Sequence, residues 1–378
     1  MPVRRRDSIV FTVVVSSIAA VAAVPIALLL ALSGEPMVVV TAALFALIPV
    51  GPLVAAYLWL DRYEPEPRSL LAAGLAWGAF VATLLALVLQ GIGGLITPLS
   101  DGASLAVAAP VTEEATKGLF LLLLLLWRRN ELDGILDGIV YAGMVGIGFA
   151  FTENILYLAA AYNGTDGMGP GGINGLGLLF LIRGVASPFA HPLFTAFIGI
   201  GVGVAITSRI RTVKVVAPLL GYVVAVAAHA LWNGSTLLAD GVGFIAVYLL
   251  VMIPGFLVMA GFAVWMRTRE RGVLDRALRD AAQRGLMPLE DVPHVVHLRA
   301  RRAARRFALE HGGRPGLEAM RDYQQAAVEL GYLHHRVLRG TAPGDYATRG
   351  QGFVERMHAA RPAIAFPALA NSLGGRHA

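Results

Sequence analysis

The sequence predicts an all-α, polytopic membrane-helix bundle, and three observations carry that reading. Apolar residues make up 56% of the chain and charged residues 15%, with a mean hydropathy of +0.66, far from the balance of a soluble globular domain. Apolar runs long enough to cross about 30 Å of hydrocarbon recur through residues 1–266. Lys and Arg fall on alternate loops between those runs, as the positive-inside rule requires of a multi-span chain.

The runs define about eight spans, at about 9–33, 37–60, 69–94, 103–127, 135–161, 175–207, 215–237 and 242–266. Arg4 to Arg6 precede the first run in the manner of a signal peptide. That run is too long for one, however, and no small-residue cleavage site leads into a soluble domain, so it reads as a retained anchor. Arg62, Arg68, Arg128, Arg129, Arg209, Arg211, Lys214, Arg267 and Arg269 lie on one side with Arg4 to Arg6, whereas the opposite loops carry Glu35, Asp101, Asp166 and Asp240. The first side is therefore expected to be cytoplasmic, with both termini on it, in a multi-pass protein of the plasma membrane. The Gly-rich loop 163–174 reads as a flexible outer connection.

Past Met266 the composition changes. Residues 1–266 hold 12 Lys/Arg against 14 Asp/Glu, and residues 267–378 hold 19 against 11. The chain thus divides into a transmembrane domain, 1–266, and a basic helical cytoplasmic tail, 267–378, with helical apolar spacing at 273–284, 295–309 and 317–337. Basic residues beside membrane spans are a normal membrane-facing feature, so no nucleic-acid partner is expected. The chain has no cysteine, which excludes disulfides, thiolate metal sites and a Cys nucleophile.

Ionisable groups inside apolar spans are costly and mark function. They comprise Glu113, Glu114 and Lys117 in span four, Asp137 and Glu153 in span five, Arg183 and His191 in span six, and His229 in span seven. Seven of the nine histidines lie in the tail, so the two in the membrane part stand out. Counting along the helices puts Glu113, Glu114, Glu153, His191 and His229 at similar depth, in the middle to outer half of the bilayer. Glu113 and Glu114 are four and three residues before Lys117, which can neutralise one carboxylate while the other points about 100° away. His191 with Thr195, and His229 with Asn233, share helix faces, and Asn233 is a candidate oxyanion donor. Arg183 reads as a snorkelling residue or a partner of Asp166, and Asp137 as a helix cap or a partner of Arg128 or Arg129.

Peptide hydrolysis needs an activated water and donors for the developing oxyanion, and Glu, His and Asn supply these parts. Two His and one Glu suit a catalytic Zn²⁺ with an open position for water. Glu114, Glu153, His191 and His229 are the candidate ligands, and the same carboxylates could do acid–base work without a metal.

Six ordered segments carry a family likeness: Asp61 to Arg68 (DRYEPEPR), Glu113 to Lys117 (EEATK), Asp137 to Tyr141 (DGIVY), Phe149 to Asn154 (FAFTEN), His191 to Thr195 (HPLFT) and His229 to Asn233 (HALWN). Together they resemble the PrsW family of intramembrane proteases, related to the CAAX prenyl protease and bacteriocin-processing group, over about residues 37–266. The resemblance implies site-1 cleavage of a membrane-anchored protein such as an anti-sigma factor. It casts Glu113 and Glu114 as the catalytic acidic pair, Glu153 as a further active-site carboxylate, and His191 and His229 as the site histidines. The related group places His where Glu153 stands. The competing readings are a proton- or ion-coupled transporter and a catalytically inactive signalling protein.

Overall fold

The computed structural model describes residues 4–32, 34–128, 132–164, 170–238 and 241–367. Asp166, Arg129, Asp240 and part of the Gly-rich loop fall outside them. The described residues form helices and no strand. Two compact units emerge: Met1–Leu60 with Glu66–Ala263, and Asp61–Pro65 with Val264–Ala378.

The first unit is the membrane bundle. Among the described residues, seven helical segments are long and apolar enough to cross a bilayer: Val10–Leu32, Pro36–Leu60, Arg68–Ile96, Ile135–Asn163, Gly172–Thr207, Arg211–Ser235 and Val242–Gln283. The expected fourth span falls on Asp101–Trp127, whose Glu113, Glu114 and Lys117 lower its apolar character. Its main helix is α7 (Ala109–Trp127), and the site involves three more: α8 (Ile135–Asn163), α10 (Ala190–Thr207) and α11 (Arg211–Ser235).

Helix α8 is the axis of the bundle. Asp137 Oδ2 accepts the backbone N–H of Asp133 and Gly134 at 2.7 and 2.8 Å and so caps its start. Every residue from Leu136 to Ala150 is buried. The helix packs against α10, against α2 (Pro36–Leu47) and against α4 (Arg68–Ala76). Glycines permit the close approach: a Cβ on Gly138 would lie 2.1 Å from Gly199 O of α10, and one on Gly146 would lie 2.7 Å from Pro192 Cα. Small residues drive helix association in lipid, where hydrophobic burial between helices contributes little.

Span six is broken. A π-helical turn, Leu181–Ala186, ends at Ser187, and α10 begins at Ala190. Backbone freed at membrane depth needs partners. Ser187 donates to Ile182 O through both its N–H and its hydroxyl, at 2.9 and 2.8 Å, and Tyr248 OH donates to Ala186 O at 2.8 Å.

The second unit packs the latter part of α13 (Ile253–Gln283) with α14 (Val292–Val296), α15 (Leu298–Leu338) and α16 (Tyr346–Ala360) around Leu274, Val292, Met320 and Met357. Helix α15 kinks at Gly313, whose φ of 60° only glycine adopts readily. Arg301 is buried and ties the Asp61–Pro65 loop into this unit: its guanidinium donates to Val295 O at 2.7 Å and to Tyr63 O at 3.3 Å. Burial brings this guanidinium down to about 10, still charged at neutral pH.

Candidate active site

Four helices deliver the expected ionisable residues to one place. Glu113, Glu114, His191 and His229 are buried, and Glu153 is nearly so. Glu114 is tied on both oxygens: Oε1 accepts from Lys117 Nζ at 2.8 Å and from His229 Nδ1 at 3.0 Å, and Oε2 accepts from the Thr195 hydroxyl at 3.0 Å. Glu153 Oε2 receives His191 Nε2 at 2.8 Å and the Arg183 guanidinium, which also donates to Asn154 Oδ1 at 2.7 Å and lies over the Tyr157 ring.

For neutral imidazoles these contacts assign both tautomers. An ionised carboxylate only accepts and an ammonium only donates. His229 therefore donates through Nδ1 to Glu114, leaving an Nε2 lone pair 3.8 Å from Glu113 Oε2. His191 donates through Nε2 to Glu153, leaving an Nδ1 lone pair that receives Lys117 Nζ at 3.0 Å. The result is two carboxylate–histidine pairs, each with its second ring nitrogen not committed to a carboxylate: His229 Nε2 near Glu113, and His191 Nδ1 held by Lys117. Outer carboxylates orient metal-binding histidines in this way.

Glu113 completes an inner group. It meets Lys117 Nζ only at 3.5 Å, and donor atoms of Glu113, His191 and His229 all lie within 4.8 Å of one another. Two imidazoles and a carboxylate with an open remaining position are a donor set that fits a catalytic divalent metal, so these residues could hold one. In this arrangement Glu114 and Glu153, the carboxylates expected as ligands, are engaged as acceptors towards the two imidazoles, and Glu113 stands with the donor group. The reason is rotational: adjacent helical residues point about 100° apart, and Glu114 is the one turned towards Lys117, Thr195 and His229.

Asn233 follows His229 by one turn, and its amide donates to Leu105 O at 3.0 Å. Two residues left outside the sequence-derived site belong to the cluster. Lys117 stands at its centre, and the E-E-x-x-K spacing was the available signal. Arg183, expected to snorkel or to pair with Asp166, contacts Glu153 across helices, a pairing that local sequence does not encode.

The profile of the PrsW family intramembrane metalloproteases matches residues 66–259. The chain belongs to this family. The matched stretch contains every cluster residue and ends before most of the second unit. Among similar PrsW proteins, the Protease PrsW of Geobacillus kaustophilus (strain HTA426) is 32% identical over 170 residues, covering 43% of this chain and 68% of the relative. The Protease PrsW of Oceanobacillus iheyensis (strain DSM 14371) is 28% identical over 160 residues, covering 42% and 67%. No solved structure matches. As a PrsW-family member, the chain is a multi-pass membrane peptidase.

Proposed function

We propose that this protein cleaves a peptide bond of a single-pass, membrane-anchored protein, of the kind represented by an anti-sigma factor, with the Glu113–His191–His229 group as its reaction centre. The observation that carries the reading is the pair of carboxylate-held imidazoles that, with Glu113, bring one donor atom each within 4.8 Å of one another. Glu113, His191 and His229 would hold the metal, Zn²⁺ being the ion that this set suits. When bound, it would supply Lewis-acid polarisation and an acidified water.

The chain's own residues do the rest. Glu113 divides its two oxygens: Oε2, which faces Lys117 and His229, serves the ligand group, and Oε1 takes the proton of the attacking water and returns it to the leaving amide nitrogen. Glu114 and Glu153 hold the two imidazoles in register, and Thr195 and Arg183 hold those carboxylates in turn. Asn233, with one amide hydrogen engaged by Leu105, keeps the other for the developing oxyanion. Burial of the cluster excludes bulk water and strengthens each of these electrostatic contacts. Loop charges support a plasma-membrane protein with both termini in the cytoplasm and 267–378 as a basic cytoplasmic tail. Family membership supports the peptidase over a transporter and over a silent signalling role.

The test is cleavage of single-pass reporters by the purified protein in proteoliposomes. Wild type should cut, Glu113→Gln should not, and a chelator should stop the wild type until Zn²⁺ is restored. Equal cleavage by Glu113→Gln would remove Glu113 from the mechanism, and chelator-resistant cleavage would remove the metal.

A further inference from the structure

Lys117 is, among the described residues, the cation wholly enclosed by the cluster, with no solvent exposure. An ammonium has three N–H donors, and three acceptors surround this one: Glu114 Oε1 at 2.8 Å, His191 Nδ1 at 3.0 Å and Glu113 Oε2 at 3.5 Å. The Phe149 ring faces it at 3.8 Å, adding a cation–π contact. The cluster is thus a built site for a positive charge.

Two of those acceptors, Glu113 and His191, are also members of the candidate metal group. His191 Nε2 is already donating to Glu153, so its only lone pair for a metal is on Nδ1, the atom that Lys117 now occupies. One lone pair cannot serve both an N–H and a metal. Charge gives the same answer. Glu113, Glu114 and Glu153 are offset by Lys117 and Arg183, and a divalent ion beside Lys117 leaves an excess of positive charge in a low-dielectric interior.

We propose that Lys117 is an internal stand-in for the metal: it holds Glu113 and His191 together in the metal-free protein, and a divalent ion enters by displacing it from both. Glu114, outside the metal group, remains its partner throughout. This inference rests on the Glu113–His191–His229 ligand reading. Occupation by Lys117 preserves the pocket before loading and sets a threshold on metal affinity, so the site fills only when the ion outcompetes a tethered cation.

The test is titration of the full-length protein in detergent with Co²⁺, read by the visible absorption of the bound ion, for wild type, Lys117→Met and Lys117→Arg. Thermal unfolding is measured with and without Zn²⁺. Lys117→Met should bind Co²⁺ about tenfold or more tightly than wild type, unfold at a lower temperature when metal-free, and gain more from Zn²⁺. Lys117→Arg should stay at or below wild-type affinity. Equal or weaker binding by Lys117→Met overturns the proposal, as does a Lys117→Met protein that is unfolded with and without Zn²⁺ while Lys117→Arg is folded. If wild type and both variants bind no Co²⁺, the ligand reading itself fails and this inference goes with it.

Discussion

Replacing Gly146 by alanine tests whether the α8–α10 seam sets the position of His191. A Cβ at Gly146 would stand 2.7 Å from Pro192 Cα and N and 2.9 Å from the carbonyl carbon of His191. All three are backbone atoms, so no rotamer change relieves the clash. Reaching the 3.4 Å of ordinary contact requires a local separation of about 0.7 Å. His191 rides on that backbone, with both ring nitrogens in contacts of 2.8 and 3.0 Å. Misplacing a reacting group by about 1 Å costs on the order of a hundredfold in rate. Gly146→Ala is therefore expected to lower reporter cleavage by about ten- to a hundredfold. Overpacking costs about 1–3 kcal/mol, offset in part by alanine's helix-propensity gain of about 1 kcal/mol, so the protein should still fold. Gly93→Ala is the control, because a Cβ there meets nothing within 4 Å. The assay is initial cleavage rate in proteoliposomes beside the detergent unfolding temperature. Wild-type cleavage by Gly146→Ala at unchanged stability would refute the idea that this seam positions the histidine.

Further outcomes follow from individual contacts. Glu114→Gln should raise the Zn²⁺ concentration needed to reactivate chelated protein by about ten- to a hundredfold, the usual cost of losing an outer partner of a ligand, and Thr195→Val should do so to a smaller extent. Tyr141→Phe removes a buried 2.6 Å bond to Glu66 and should cost about 1.5–3 kcal/mol in unfolding free energy while leaving metal affinity alone. In the second unit, burial holds the His294 imidazole below its usual range, and its Nδ1 has no hydrogen-bond partner. The folded form then takes up a proton less readily than the unfolded one. Stability of this unit should be complete above about pH 6.5 and decline as pH falls below that value. Hydrogen exchange along α14 and α15 should record the decline, and His294→Gln should flatten it.

The span pattern and the carboxylates and imidazoles of the cluster were legible in the sequence because both arise from local chemistry: apolar length defines a helix in lipid, and an acid or imidazole within one demands a reason. Roles within the cluster were not legible to the same degree. Glu113 and Glu114 are neighbours in the chain, and only the three-dimensional arrangement of α10 and α11 decides which one faces Thr195 and His229. Arg183 has no local partner that outbids Glu153, which lies 30 residues away on another helix. Lys117 looked like a simple neutralising neighbour because its third contact, His191, is 74 residues distant. Likewise, nothing near Asp61–Pro65 announces that Arg301 draws this loop into the second unit.

The enclosure of α8 has a consequence for how the membrane acts on the enzyme. Bilayer thickness and lipid identity reach a protein through its lipid-facing surface, and from Leu136 to Ala150 this helix has none. Helices such as Val10–Leu32 and Pro36–Leu60, largely exposed along their length, absorb mismatch by tilting. Glu153, one turn beyond the enclosed stretch, is thus referenced to protein neighbours and not to the surrounding lipid. A cell that remodels its lipids changes how a substrate approaches, while the spacing between the carboxylates and imidazoles stays fixed.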